Sequence, residues 1–413
     1  MPGARVNGAA WPLLALLACV AAPRAARAGG FLIYDISGAA MARGSAVSAD
    51  VGEPAAVWFN PAALAYSRGV AASVGGVFVT ARSRFTPTGG GAETSSERGN
   101  FVLPAVFATA ALNDRVSVGM GAYSTFGIGI RWPDGWSGRQ SAIAASLETF
   151  ALNPTVAVKL TQRIAIAAGF DAVRAVVDFT NGLPTLVGGD VRLAGGSWGY
   201  GANAGLLVHV VPERLNVAFT YRSRIKLAFD DGHADFSPAN PEFARMLPDQ
   251  GGTATITLPD IVTAGLMFRP RAGSHLALTL DANLVLWSTY HRIDIHFDSA
   301  PPKVLESDAS NAFTVRAGAD WESWRVRGLH LRGGLIYDQS AIGSAGLGPG
   351  LPESTRLDAA AGVGFSRGHV SVDLAYLLVY FLPADAVGGR EGPEGTYRSL
   401  AHLVALTIGA HWP

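Results

Sequence analysis

Long stretches in which apolar and polar residues alternate limit the possible folds of this chain more than any other feature. From Leu276 to Leu286 every even position is apolar, whereas Thr279, Asp281 and Asn283 lie between them. The stretch 370–380 alternates in the same way. A period of two places one set of side chains on one face of a β-strand and the other set on the opposite face. The chain is therefore predicted to be all-β, with strands that are apolar on one side.

Membrane-spanning helices do not explain the high apolar content of the chain. Hydrophobic residues make up 49% of the chain and charged residues 15%, yet no run of 18 apolar residues follows residue 28. Helical membrane spans are therefore excluded. A closed β-barrel can still cross a membrane, because alternation gives it an apolar outer face. A soluble sandwich also alternates, but its strands average about 5–6 residues and the stretches here are longer.

The alternating stretches divide into strands joined by connections of two kinds. Short turns, such as Asn113-Asp114 and Arg367-Gly368, alternate with longer loops rich in Gly, Pro and Ser. This asymmetry is typical of bacterial outer-membrane barrels, in which the short turns face the periplasm. We predict fourteen antiparallel strands, near 69–82, 100–112, 115–130, 146–160, 163–178, 197–211, 214–229, 252–268, 274–297, 312–323, 328–338, 356–366, 369–381 and 398–412.

The first 28 residues have the pattern of a secretory signal. Arg5 precedes an apolar stretch, and Ala26-Arg27-Ala28 is a small-residue cleavage site. An alternative is that residues 16–19 form a lipoprotein box, which would lipidate Cys19. Cleavage after Ala28 leaves a chain without cysteine. We predict a Gram-negative cell-envelope protein with a signal peptide at 1–28.

Residues 29–68 do not alternate and form a separate unit in this interpretation. The interior of a fourteen-strand barrel has room beyond its own side chains. Trp58, Phe59 and Leu64 favour burial of the segment. We therefore predict an N-terminal plug at 29–68 inside a transmembrane barrel at 69–413, with a loose periplasmic tail as the alternative.

A series of short motifs gives the chain a family resemblance. In order they are Gly29-Gly30-Phe31, Arg43-Gly44 with Asp50, Asn60-Pro61-Ala62, Phe126-Gly127 with Trp136 to Arg139, Leu152-Asn153-Pro154, Leu258-Pro259-Asp260, Asp281 with Trp287-Ser288, Leu331 to Gly334 with Tyr337-Asp338, and Leu351-Pro352 with Arg356. Their order resembles that of the outer-membrane long-chain fatty-acid transporters, the FadL family, which includes relatives that take up toluene-like hydrocarbons.

The resemblance implies a fourteen-stranded barrel with an N-terminal plug. It also implies passive uptake of hydrophobic molecules through a pocket above the plug and a lateral opening beside a kink in the third strand. Long-chain fatty acids are the first expected substrate class and aromatic hydrocarbons the second. The implied partners are the hydrophobic ligand, outer-membrane lipid and lipopolysaccharide, and the barrel-assembly machinery.

Three groups of residues are candidate sites. The plug and ligand group is Phe31, as an apolar stopper or ordinary core residue, with the rigid corner Asn60, Pro61 and Ala62. The kink group is Gly119, Gly121, Gly127 and Gly129, predicted to share one strand face, with Phe126 on the other. Glycine in a strand permits a bulge, although it also thins a wall for close packing. The third group comprises Arg222, Arg224 and Lys226, predicted to face the lumen and either to hold a fatty-acid carboxylate or to pair with lumen acids.

Several other functions are disfavoured. With 32 basic and 32 acidic residues, the chain has no excess charge to neutralise nucleic acid. The sequence contains no paired cysteines, P-loop or dinucleotide fingerprint, so no cofactor is expected. Gly195 to Gly199 matches the serine hydrolase elbow around Ser197, but it opens a predicted strand rather than a strand-to-helix turn. An outer-membrane lipid hydrolase is kept as the minority hypothesis, and the chain is predicted not to be an enzyme.

Overall fold

A computed structural model describes residues 31–50, 52–290, 292–299, 301–306, 309–389 and 391–412. The predicted signal peptide and the alternative lipidation site Cys19 lie outside the described residues. Within them, fourteen antiparallel strands form one closed sheet, because the first strand pairs with the second and with the last. The predicted all-β barrel and its strand number are confirmed.

Each strand pairs with its neighbours in sequence, and five strands consist of two segments. They are β1 (Val70–Pro87), β2 (Gly99–Ala111), β3 (Val116–Tyr123 and Gly127–Arg131), β4 (Ala144–Lys159), β5 (Ile164–Gly182), β6 (Asp190–Val211), β7 (Leu215–Arg222 and Ile225–Ser237), β8 (Gln250–Leu258 and Ile261–Phe268), β9 (Leu276–Val285 and Arg292–Phe297), β10 (Lys303–Glu306 and Ala312–Glu322), β11 (Leu329–Asp338), β12 (Arg356–Arg367), β13 (Val370–Phe381) and β14 (Gly395–Trp412). Two short segments, Thr94–Ser95 and Ala384–Ala386, extend the pairing of β1 and β14.

The two faces of the wall follow the alternation in the sequence. On β9, Thr279 and Asp281 are buried inside the barrel, whereas Leu278 and Leu280 expose 41% and 43% of their surface on the outside. The outer surface is therefore apolar and suited to hydrocarbon, and the inner face is polar.

The short helical elements lie in the N-terminal segment and in the loops. Helix α1 spans Gly38–Met41, helix α2 spans Ala56–Phe59, and 3₁₀ turns cover Pro61–Tyr66, Pro241–Phe243 and Trp287–Tyr290. No helix among the described residues is long and apolar enough to cross a membrane.

Residues 31–50 and 52–66 are almost entirely buried against the inner face of the wall. Their backbone approaches the wall where the strands carry inward-facing glycines. A Cβ on Gly334 would lie 2.2 Å from the backbone nitrogen of Gly44, and one on Gly265 would lie 1.8 Å from Ser48 Oγ. The glycines that make room for this segment are Gly119, Gly205, Gly265, Gly318, Gly334 and Gly362. Much of the glycine content therefore serves close packing of one segment inside the wall.

Candidate ligand passage

Strand β3 is interrupted half-way along its length. Tyr123 pairs with Ala151 of β4, and the next paired residue, Gly127, lies opposite Glu148. Three residues of β3 thus span a distance that two residues cover on β4. One extra residue in a strand is a β-bulge, which bends the strand and exchanges its faces.

The bulge separates the four predicted kink glycines. Gly119 and Gly121 face the interior, where a Cβ on Gly119 would lie 2.7 Å from Val57. Gly127 and Gly129 face outward, because Gly127 lies opposite the exposed Glu148. The prediction of one glycine face is therefore wrong beyond the bulge. Gly119 belongs to the wall that accommodates the N-terminal segment.

The interruption leaves a window in the wall between β2 and β3. Residues 99–104 of β2 pair with β1 but have no partner on β3, and Gly127–Arg131 pairs with β4 alone. At the loop end, Glu97 N–H donates to the carbonyl of Arg131 at 2.8 Å. The window is thus bounded on all sides by hydrogen-bonded backbone.

The side chain of Thr149 on β4 supports the break. Phe126 N–H donates to Thr149 Oγ at 3.2 Å, and this hydroxyl donates to the carbonyl of Phe126 at 2.6 Å. Backbone groups that leave a sheet need other partners, since a buried unpaired group costs about 1–3 kcal/mol. Phe126 itself is buried.

A cavity of about 600 Å³ passes through the window. Phe31, Leu32 and Phe126 line its inner part, and Val102 and Phe150 line its outer part. Val102 is 67% exposed on the outer surface, so the cavity reaches the face that contacts lipid. The structure therefore contains a lateral passage from the barrel interior to the outside of the wall.

The ring of Phe101 partly covers this window. A Cβ on Gly129 would lie 2.1 Å from the Phe101 ring, so only glycine leaves space for the ring there. Phe101 is 36% exposed and also lines the passage. The ring is held by contact with the glycine and by no hydrogen bond, so it can move without breaking backbone pairing.

A second cavity of about 200 Å³ lies at the loop end of the interior. Its walls are mainly apolar, and they include Phe229, Ile293 and Leu305. The polar side chains on its lining are Ser141, Asn181, His233, Thr253, Tyr290, Lys303 and Glu391. Sequence reasoning did not single out these residues, because they come from loops and strands that are distant along the chain.

An aromatic cluster separates the second cavity, called the upper cavity below, from the lateral passage. The ring of Phe31 lies 5.0 Å from Trp287, 5.4 Å from Tyr290 and 5.9 Å from Phe126, between ring centroids. Tyr290 lines the upper cavity, whereas Phe31 and Phe126 line the passage. Phe31 therefore occupies the position expected of an apolar stopper, although its role in gating remains a prediction.

The N-terminal residues are also bonded to the kink. Ile33 N–H donates to the carbonyl of Thr125 at 2.7 Å, and Gly127 N–H donates to the carbonyl of Phe31 at 3.0 Å. Any movement of the N-terminal segment therefore changes hydrogen bonds at the bulge, which couples the stopper position to the window.

The Asn60 corner lies inside the barrel away from both cavities. Asn60 Nδ2 donates to the carbonyls of Ser48 at 2.8 Å and Leu206 at 3.3 Å, and Oδ1 accepts from Ala62 N–H at 3.1 Å. Pro61 begins the 3₁₀ turn with its fixed φ. These contacts support the predicted rigid corner, and none of Asn60, Pro61 and Ala62 lines either cavity.

Arg222 faces the interior, as predicted, but its bonds are with the protein. Its guanidinium pairs with Asp171 at 2.8 Å and donates to the carbonyls of Val57 and Trp58 at 2.9 and 3.0 Å. It also lies 4.1 Å from the centre of the Trp58 ring. Of the two predicted roles, this geometry supports pairing with a lumen acid and anchoring of the N-terminal segment.

The predicted basic stripe does not continue beyond Arg222. Strand β7 is interrupted at 223–224, after which Ile225 and Leu227 are buried inside. Lys226 consequently points outward, and Arg224 is 60% exposed while pairing with Asp260 at 2.8 Å. The prediction of lumen-facing Arg224 and Lys226 is corrected here, because the interruption exchanges the faces of the strand.

Ser197 lies within β6 and not at a turn. Its hydroxyl donates to the carbonyl of Ala228 at 2.6 Å. A nucleophile elbow requires a strand-to-helix turn that exposes the serine. The glycine-rich match around Ser197 is therefore part of the barrel wall.

Burial affects the protonation of Asp35 in the N-terminal segment. Burial raises the pKa of Asp35, and the hydrogen bond from Ser45 at 2.8 Å and the charge of Arg316 only partly oppose this. A raised pKa means that the docked segment favours the neutral carboxyl. The contribution to docking is therefore complete in acid and is lost as the pH rises through the raised pKa.

We expect hydrogen–deuterium exchange of residues 31–50 to increase as the pH rises above the ordinary range of an aspartate pKa, after correction for intrinsic exchange. In Asp35→Asn this increase should be smaller, because the amide keeps the bond from Ser45 without a charge. The part that remains is expected from Glu53, whose pKa burial also raises and which accepts a hydrogen bond from Ser37. An unchanged pH profile in the variant would show that Asp35 does not set it.

Comparison with known proteins agrees with the geometry. The chain matches the family model of the outer membrane protein transport proteins (OMPP1/FadL/TodX) over residues 17–387. It is 23% identical over 416 residues to a long-chain fatty acid transport protein of Escherichia coli, covering 88% of this chain and 90% of that one.

Solved structures show the same fold. A Pseudomonas aeruginosa FadL homologue aligns with a TM-score of 0.83 at 18% identity, over 93% of this chain and 100% of that chain. The P. putida toluene transporter TodX aligns with a TM-score of 0.73 at 16% identity, over 94% and 99%. The family consists of transport channels and not of enzymes. The chain is an outer-membrane β-barrel, and it belongs to the OMPP1/FadL/TodX family of outer membrane transport proteins.

Proposed function

We propose that this transport protein takes up long-chain fatty acids passively, through the upper cavity and the lateral passage. The observation that carries the proposal is a pair of adjoining, mainly apolar cavities. Ile128 and Leu351 line both cavities, so the two are separated only by the aromatic cluster around Phe31. A ligand that displaces Phe31 from this cluster passes from one cavity to the other without meeting water.

The fatty-acid preference is supported by charge in the upper cavity. Lys303 and His233 line a surface that is otherwise mostly apolar, which suits a carboxylate attached to a hydrocarbon chain. Glu391 also lines the cavity, so the balance of charge there is set by a small number of groups. The relatives of Salmonella typhi and Escherichia coli that are named long-chain fatty acid transport proteins agree with this ligand class.

Aromatic hydrocarbons are the second candidate. The four rings Phe31, Phe126, Trp287 and Tyr290 contact one another edge to face, with centroids 5.0–6.4 Å apart. Such a cluster can receive another aromatic ring with favourable edge-to-face geometry. A small aromatic hydrocarbon carries no charge that a cation could bind. Substitution of Lys303 should therefore affect uptake of fatty acids and not uptake of hydrocarbons.

Uptake by cells whose own fatty-acid and hydrocarbon transporters are deleted tests the proposal. The chain should restore saturable uptake of oleate. Lys303→Met should lower oleate uptake by about tenfold or more, the effect of losing one charge-assisted hydrogen bond. Toluene uptake, if present, should be unaffected by this change.

Lys226→Met is the matched control, because Lys226 lies on the outer surface and lines neither cavity. It should transport oleate at the wild-type rate. Restoration of toluene uptake alone would favour the hydrocarbon function, and restoration of neither would contradict the proposed transport of hydrophobic ligands.

A further inference from the structure

The exposed Arg82 of β1 lines the lateral passage on one side of the window, and Arg174 and Glu148 stand at its outer rim on the other side. Arg174 and Glu148 line it together with Phe150. Arg174 lies opposite Phe150 on β4 and opposite Trp198 on β6, and those rings are 42% and 49% exposed on the outer surface. Residues opposite one another in antiparallel strands share a face, so Arg174 also faces outward.

The protein neutralises neither the positive charge of Arg174 nor the negative charge of Glu148. Among the described residues, no hydrogen bond or ion pair involves the side chain of Arg174 or Glu148. The Arg174 guanidinium lies over Gly196 of β6, where a Cβ would meet it at 2.2 Å, on the side away from Glu148. Farther along the same strands, Arg192 and Asp178 do pair, at 2.6 Å. Arg192 is therefore paired, whereas the side chain of Arg174 has no partner among the described residues.

An unpaired cation on a lipid-facing surface is unfavourable, and less so near the interface or beside an anionic partner. A guanidinium presents a planar fork of N–H donors that matches a carboxylate. The unpaired Arg174 guanidinium stands at the mouth of a passage whose outer lining is mainly apolar, with Glu148 and Arg82 as the other charged residues there. An amphiphile in the passage would therefore leave its chain among apolar groups and its head within reach of Arg174.

We propose that Arg174 forms an exit-side binding position for the carboxylate of an anionic amphiphile leaving through the window. The inference rests on the proposed transport of fatty acids. The hydrocarbon chain enters the membrane between β2 and β3, while the carboxylate stays at the polar rim on Arg174. Glu148 lies on β4 between the window and Arg174, and its negative charge repels the carboxylate, which favours release. A lipid phosphate is the other anion available there, and the test separates the two.

The test compares Arg174→Gln, Glu148→Gln and Arg163→Gln in the transporter-deleted cells. Oleate and oleyl alcohol, an uncharged analogue of the same chain, are the two probes. Arg163 lies in the exposed turn between β4 and β5 at the other end of the wall, so its variant controls for loss of one positive charge. Binding of oleate to each purified full-length variant is measured in parallel.

We expect Arg174→Gln to lower the oleate uptake rate by about fivefold while leaving oleyl alcohol uptake and equilibrium oleate binding unchanged. Glu148→Gln should transport oleate at least as fast as the wild type, and Arg163→Gln should match the wild type. Equal loss for both probes in Arg174→Gln would indicate a lipid contact or a structural role and would overturn the inference. So would an unchanged oleate rate. Wild-type transport of neither probe would instead contradict the proposed function itself.

Discussion

Deletion of Thr125 is expected to reduce uptake of hydrophobic ligands to the level of cells that lack the protein, while the barrel still folds. The deletion removes the one residue by which β3 exceeds β4 between Tyr123 and Gly127. Without the bulge, β3 becomes continuous and its second segment comes into register with residues 99–104 of β2. The new backbone hydrogen bonds close the window, and the passage no longer reaches the outer surface.

The control for this deletion is removal of Gly90. Gly90 lies in the exposed loop after β1, and a Cβ there would meet nothing within 4 Å. Both variants should show the heat-modifiable gel migration of a folded barrel. The Gly90 deletion should retain uptake and the Thr125 deletion should lose it. A folded Thr125 deletion with wild-type uptake would show that ligands do not leave through the wall.

Substitution of Gly334 by valine is expected to displace the N-terminal segment from the barrel. A Cβ at this position would lie 2.2 Å from the backbone nitrogen of Gly44 and 2.3 Å from the carbonyl carbon of Arg43. Overpacking of a buried site costs about 1–3 kcal/mol. Here the obstacle is backbone, so no change of rotamer relieves it. We expect residues 31–50 to become sensitive to trypsin and the cells to become permeable to large hydrophilic antibiotics.

Gly333→Val is the matched control, since a Cβ on Gly333 meets only the carbonyl of Ala360, at 3.9 Å. The two glycines are adjacent on β11 but face opposite sides of the wall. The control should keep the wild-type trypsin pattern and antibiotic resistance. If both variants behave alike, close packing of the N-terminal segment does not depend on the glycine face, and its proposed function as a plug loses its support.

The sequence predicted the barrel because alternation is a local property of each strand. The outward positions of Leu278, Leu280 and Tyr376 follow directly from the period of two. The interruptions at 124–126 and 223–224 are not visible in that period. They depend on partners in other strands, such as Thr149, whose hydroxyl satisfies the backbone of Phe126.

The functional residues were predictable to a smaller degree for the same reason. Phe31 lies in the aromatic cluster between the two cavities, where an apolar stopper was expected, and its role as a stopper stays a prediction. Lys226 was placed on the wrong face by extending the alternation across an interruption. Lys303, His233 and Arg174 were missed because their significance lies in a shared cavity or in a missing partner, which only the three-dimensional arrangement reveals.

Photolabelling with a fatty acid that carries a diazirine near the end of its chain tests the central claim most directly. The lateral route predicts that labels appear on residues of both cavities, including Phe229 in the upper cavity and Val102 and Phe150 at the outer mouth. Deletion of Thr125 should abolish the labels at the mouth and retain those in the upper cavity. Labels on Asn60, Leu64 and the periplasmic turns, with none at Val102 or Phe150, would mean that the ligand passes down through the barrel and would contradict lateral exit.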